Sequence, residues 1–217
     1  MKEPYENIYI GNFIFAMGFY AAQTKDKLSN KAVQLVQQTP DECLLNDLFL
    51  NWEGKNYIFE FKRNLEKINT ELDKPAKVLL NEALNSVHFE KELSLSNKGH
   101  FLGYGCENGL RFICYSAVHS STVEYYSLDD FVKNMMVESN KFGLSFSEFT
   151  EYLKFIGNAT ESNNEGCGGF VMNVSKDGSL NMVPFKNVEL LSQAIDINPD
   201  SLALKPEQKN NFSIKPY

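Results

Sequence analysis

The pattern of hydrophobic and polar residues along the chain predicts a β-hairpin before residue 65. The segments Leu44 to Trp52 and Asn56 to Arg63 are rich in aliphatic and aromatic residues, and a short polar stretch around Gly54 separates them. Two such segments joined by a few turn-forming residues are typical of a hairpin. We therefore expect both segments to be strands of one sheet.

The second of these strands alternates between two faces. Glu60 and Lys62 lie two residues apart, so they point to the same face, while three aromatic residues point to the other: Tyr57, Phe59 and Phe61. The alternation predicts an acid and a base side by side within an otherwise apolar strand.

Two further hairpins are predicted downstream. His100 to Cys106 and Leu110 to Val118 flank Asn108-Gly109, a dipeptide that strongly favours a two-residue turn. Gly169 to Val174 and Ser179 to Phe185 flank a second turn sequence that contains Gly178. The predicted sheet therefore has at least four strands before residue 120 and a third hairpin after it.

Helical segments are predicted between the strands. Apolar spacing and capping residues indicate four of them: Asn12 to Lys25, Leu65 to Ser86, Ser127 to about Ser139, and Ser145 to Ile156. The first is apolar on most faces and should be largely buried, and Pro75 interrupts the second. Asn30 to Gln38 fits either a helix or a strand.

Length and composition favour one core with additions. The chain has 217 residues, of which 43% are hydrophobic and 23% are charged, as in ordinary globular domains. This composition excludes a collagen, a coiled coil and a disordered linker. We predict an α/β (α+β) fold with a core over residues 1–120 and a C-terminal helical and hairpin elaboration, residues 121–217, packed on that core.

The sequence also predicts where the chain resides. It has no run of about 18 apolar residues that could span a membrane, and its first residues lack a basic leader with a cleavage site. We expect a soluble, cytoplasmic protein without a membrane partner. The four cysteines have no C-x-x-C spacing, so we expect buried, reduced thiols.

The candidate chemistry lies in the first hairpin. Pairing of its strands would bring Asp47 near Glu60, and two carboxylates on adjacent strands offer the hard oxygen ligands that Mg²⁺ or Mn²⁺ prefers. Lys62 shares their face. The E-x-K pattern occurs three times in the chain, and only this copy follows an acid, a strand and a turn. The alternative interpretation is a solvated strand face on which Glu60 and Lys62 are ordinary surface charges.

The segment from Asp47 to Lys62 resembles the PD-(D/E)XK nuclease superfamily, although Asn46 stands where members often have proline. The resemblance implies a restriction-endonuclease-like αβββαβ core with a mixed sheet, covering about half of the chain. It also implies a metal held by Asp47, Glu60 and the main-chain carbonyl of Phe61. Members often add an acid from the first helix, for which Glu6 is the candidate here; otherwise water completes the metal site.

The resemblance further implies that Lys62 orients or helps to deprotonate the attacking water. The expected activity is metal-dependent hydrolysis of DNA phosphodiester bonds, in a setting such as restriction or phage defence; RNA as substrate stays open. The net charge of −7 opposes non-specific coating of nucleic acid but not a local site. The alternative is a catalytically silent relative that binds a protein partner or a second copy of itself.

Overall fold

One mixed β-sheet organises the described part of the chain. The computed structural model describes residues 4–23, 31–35, 47–52, 54–119, 124–136, 142–160, 169–174 and 180–185. Within them, eight strands form a sheet in the order β6-β5-β4-β3-β2-β1-β7-β8. These strands are β1 (Lys31–Leu35), β2 (Leu48–Trp52), β3 (Lys55–Lys62), β4 (His100–Cys106), β5 (Gly109–Cys114), β6 (Tyr126–Ser127), β7 (Gly169–Val174) and β8 (Leu180–Phe185).

The described strands include one parallel pair. β3 and β4 pair in parallel, whereas every other neighbouring pair is antiparallel. A parallel pair needs a long connection, and here it contains two helices, α2 (Pro75–Leu84) and α3 (Glu90–Gly99), with short 3₁₀ segments before each. β3 therefore has a sheet neighbour on each side and lies in the interior of the sheet.

Helices cover both faces of this sheet. On one face, α1 (Glu6–Gln23) and α4 (Leu128–Met136) pack on β3, β4 and β5. On the other face, α2 and α3 pack together with α5 (Phe146–Ala159). Because both faces of β3 are covered, every residue from Asn56 to Lys62 is buried. No helix in the described ranges is long and apolar enough to cross a membrane.

Aromatic side chains hold α1 against the sheet. The Phe13 ring centroid lies 4.8 Å from that of Phe59 and 5.2 Å from that of Phe112, in tilted arrangements. Tilted rings at such separations attract each other beyond the effect of their buried area. The alternating aromatic residues of β3 therefore serve as the surface on which α1 packs.

The predicted elements agree with the structure in most places. The strand pairing of all three hairpins is confirmed, and the ambiguous segment after Asn30 contains a strand. The strand predicted from Leu110 to Val118 ends at Cys114, and a 3₁₀ helix, Tyr115–His119, follows it. The helix predicted from Asn12 begins at Glu6 instead, and it is buried along one stripe only, since Phe15 is 74% exposed. The helical stretch predicted over Leu65 to Ser86 is interrupted as expected: a 3₁₀ helix, Glu66–Asp73, ends just before α2, which Pro75 begins because proline is well tolerated in a first helical turn.

Three other predictions have different outcomes. Cys106 and Cys114 are free thiols but half-buried rather than buried, and Cys43 and Cys167 are not described. The capping box predicted at Ser145 is present, with Glu148 as its partner. The division of the chain near residue 120 stays a prediction, although β7 extends the sheet by pairing with β1.

Phe13→Ala should test the role of this aromatic contact. Phe13 is fully buried, so its removal should leave a cavity and lower the free energy of unfolding by about 3–5 kcal/mol. Phe15→Ala, on the exposed side of the same helix, should change it by less than about 0.5 kcal/mol. Urea unfolding followed by circular dichroism measures both, and equal effects would contradict the described packing of α1.

Candidate functional site

The first hairpin fixes Asp47 beside β3. In the β2–β3 register Leu48 pairs with Phe59, and Asp47 immediately precedes β2. The main-chain N–H of Phe61 donates a hydrogen bond of 2.6 Å to Asp47 Oδ2. Asp47 is only 3% exposed, so this carboxyl group is held in place at the end of the hairpin rather than in solvent.

Glu60 lies between two lysines. Lys62 Nζ donates a hydrogen bond of 2.9 Å to Glu60 Oε1, and Lys77 Nζ of α2 is 3.5 Å from Glu60 Oε2. All three side chains are buried. Oε2 accepts no hydrogen bond, so its contact with Lys77 is an ion pair alone. A buried carboxylate needs such partners because water cannot solvate it.

The alternative interpretation of a solvated strand face is wrong. Glu60 is 2% exposed and Lys62 is 6% exposed. They share a face with Ile58, which lies in the hydrophobic cluster formed with α2, α3 and α5. Charged residues are almost never fully buried unless they are paired, so the burial of this acid and this base sets them apart from ordinary surface charges.

The surroundings of Asp47 change the pKa of its carboxyl group. The pKa of Asp47 is raised from 3.8 to about 8. Burial is the largest cause and the negative charge of Glu60 adds to it, while the charge of Lys62 and the hydrogen bond from the Phe61 N–H oppose the shift. Glu6, half-buried in the first turn of α1, also acts to raise this pKa. The charges of Glu60 and Glu6 therefore reach Asp47.

The donor set fits a hard divalent cation. Asp47 and Glu60 supply carboxylate oxygens, and Glu60 Oε2 is a buried oxygen without a hydrogen bond. Within the described ranges, no three His, Cys, Asp or Glu side chains come together as a metal-binding group. An ion at these two carboxylates would therefore also need the Phe61 carbonyl or water, as expected from the sequence. Whether Glu6 joins them stays a prediction.

Sequence reasoning missed Lys77. It is 1% exposed and shares the buried stripe of α2 with Leu80 and Leu84. Residues 77, 80 and 84 have the spacing of one helical face, so a lysine at an apolar position was the available signal. A charged residue on the core side of a helix requires a buried partner, and Glu60 is that partner.

A buried histidine lies close to Lys77. His100 stacks on Tyr115 with ring centroids 3.9 Å apart, and its Nδ1 is 3.0 Å from Tyr152 Oη. Burial lowers the pKa of His100 well below its usual range, and the charge of Lys77 contributes to the decrease. His100 is therefore neutral at physiological pH and packs as a residue of the core.

Comparisons with known proteins add nothing to this geometry. The chain matches no protein-family model, no curated protein and no solved structure. The function is therefore inferred from the residues of the site.

Asp47→Asn should change how the stability of the metal-free protein depends on pH. The pKa of Asp47 is raised to about 8 in the folded chain, so the folded state binds this proton more tightly than the unfolded state does. Wild-type stability should therefore fall as the pH rises from about 4 to about 8. The free energy of unfolding, measured with urea in EDTA, should therefore rise by several kcal/mol in Asp47→Asn relative to the unmutated protein over this pH range.

Asp129→Asn is the matched control for this experiment. Asp129 is exposed, and its hydrogen bond with Lys133 lowers its pKa. Above about pH 5, the free energy of unfolding of this variant should depend on pH in the same way as that of the unmutated protein. If the free energy of unfolding of Asp47→Asn also had the pH dependence of the unmutated protein, the carboxyl group of Asp47 would not be desolvated as described.

Proposed function

We propose that this chain is a metal-dependent nuclease that hydrolyses DNA phosphodiester bonds. One observation carries the proposal: Asp47, Glu60 and Lys62 are buried together where β2 and β3 pair. Stability alone does not explain this arrangement, because apolar residues would fill the same space at lower cost. A buried carboxyl group whose pKa is strongly raised, as that of Asp47 is, is typical of a catalytic site.

The fold is consistent with the proposal. The order α1, β1, β2, β3, α2, β4 fits the restriction-endonuclease-like αβββαβ core that the sequence resemblance implies, with α3 as an additional helix. Strands β1 to β4 are neighbours in the sheet, and only β4 runs parallel to β3. A core of this kind would present the acids of β2 and β3 at one position.

Each residue of the site would have its own role. Asp47, Glu60 and the Phe61 carbonyl would hold Mg²⁺ or Mn²⁺, with Glu6 as a further candidate from α1. When bound, such an ion lowers the pKa of water and polarises a phosphoryl oxygen. Lys62, hydrogen-bonded to Glu60, would orient the attacking water or, in its neutral form, help to take the proton of that water. In its ammonium form it would stabilise negative charge on the phosphate.

The biological setting follows from the resemblance alone. DNA is the proposed substrate, and RNA is the second substrate to be tested. Restriction or phage defence is the proposed context. A cytoplasmic location and a homodimer or protein partner belong to the same proposal.

A second candidate function is a catalytically silent interaction module. It is favoured by the pairing of both Glu60 oxygens with lysines. The net charge of −7 would suit a protein partner better than a polyanion. A positive surface potential leading to Asp47 would favour the nuclease, and uniform negative potential would favour the module.

Substitutions at the site should separate metal binding from cleavage. Asp47→Ala and Glu60→Ala should each abolish metal binding and cleavage, because both residues would supply metal ligands. Lys62→Ala should retain metal binding but lower cleavage by several orders of magnitude. Lys62→Arg should cleave little better than Lys62→Ala, since a guanidinium stays charged and cannot accept the proton of the attacking water.

The measurements are Mn²⁺ calorimetry and cleavage of supercoiled DNA, single-stranded DNA and RNA. Glu151→Ala and Lys91→Ala are matched controls, because these residues form an exposed ion pair on α5 and α3 and should leave both readouts unchanged. Cleavage by Lys62→Ala at the unmutated rate would remove the proposed mechanism. Absence of metal binding in the unmutated protein would favour the interaction module.

A further inference from the structure

Lys77 is a buried cation for which the proposed function has no role. It comes from α2, outside the hairpin that carries the other residues of the site. Its ammonium group lies 3.5 Å from Glu60 Oε2 and 5.6 Å from the centroid of the Tyr115 ring. The side chain is 1% exposed, so its charge acts on these neighbours with little screening by solvent.

The two lysines contact Glu60 in different ways. Lys62 makes a hydrogen bond of 2.9 Å to Oε1, whereas the 3.5 Å contact of Lys77 with Oε2 satisfies no hydrogen bond at that oxygen. Oε2 is therefore the less firmly held oxygen of the carboxylate. A metal ligand must offer a free lone pair, and Oε2 is the oxygen of Glu60 that has no lone pair engaged in a hydrogen bond.

We infer that Lys77 competes with the metal ion for Glu60 and neutralises this carboxylate while the metal is absent. The inference rests on the proposed function, because it concerns the same metal site. Lys77 acts through Glu60 and is thus a positioning residue. Binding of the metal would require the Lys77 ammonium to give up Oε2.

The competition has an electrostatic cause. A divalent cation at Glu60 would lie a few ångströms from the Lys77 ammonium, and like charges at this separation repel strongly inside a protein. Lys77 therefore lowers the affinity of the site for a metal while it stabilises the metal-free fold. Removing its charge should have the opposite effect on metal affinity, which a purely structural lysine would not produce.

Lys77→Met tests the competition directly. The side chains have similar length, so the apolar stem of Lys77 is largely replaced while the charge is lost. Calorimetric titration of metal-free full-length protein with Mn²⁺ should give at least about tenfold tighter binding than in the unmutated protein. Lys98→Met is the control, because it removes one lysine from a half-buried ion pair with Glu148 and should leave the affinity unchanged.

The outcomes separate this inference from the proposed function. Tighter binding by Lys77→Met supports the competition, even if the unmutated chain binds too weakly to detect; that result would also favour the silent module. Equal or weaker binding by Lys77→Met overturns the competition but leaves the nuclease proposal standing if the unmutated protein binds Mn²⁺. Absence of binding in both proteins overturns both.

A second measurement uses the unmutated chain, in case substitution of Lys77 prevents folding. In protein labelled with ¹⁵N-lysine, Mg²⁺ should shift the side-chain ammonium signal of Lys77, because the ammonium would leave Glu60 Oε2. An unchanged Lys77 signal at saturating Mg²⁺ would overturn the competition. Through-bond correlation to the backbone of Lys77 assigns the signal without a substitution.

Discussion

The site depends on the burial of the Glu60 carboxylate between two ammonium groups. Lys62 reaches it from the same strand and Lys77 from α2, at 2.9 and 3.5 Å. Loss of Glu60 would take this buried carboxylate away from both ammonium groups, and removal of a charge from a buried ion pair commonly costs several kcal/mol. The position of α2 on the sheet and the conformation of β3 are therefore coupled through this one carboxylate.

The two faces of β3 carry different kinds of side chain. Tyr57, Phe59 and Phe61 form the apolar face on which α1 packs, and this face anchors the strand in the core. The opposite face carries Glu60 and Lys62 under α2. A strand held firmly by one face can present charged groups with fixed geometry on the other, and fixed geometry is what electrostatic catalysis requires.

Much of this arrangement could be predicted from local sequence patterns. Period-two alternation and turn residues predict β3 and its hairpin, so they bring Asp47 and Glu60 to one strand pair. Burial of the pair could not be predicted in this way, because it depends on α2 and α3, which pack over β3 only in the folded chain. α3 was missed, and Lys77 was overlooked although its helical spacing with Leu80 places it on the apolar stripe of α2.

The most direct test of the account is a crystal structure of the protein soaked with Mn²⁺, in which anomalous scattering locates the metal. The account predicts a peak bound by carboxylate oxygens of Asp47 and Glu60, with Lys77 Nζ withdrawn from Glu60 Oε2. A fully soaked crystal without a peak at these carboxylates, and with Lys77 still on Glu60, would contradict the metal site and with it the proposed nuclease.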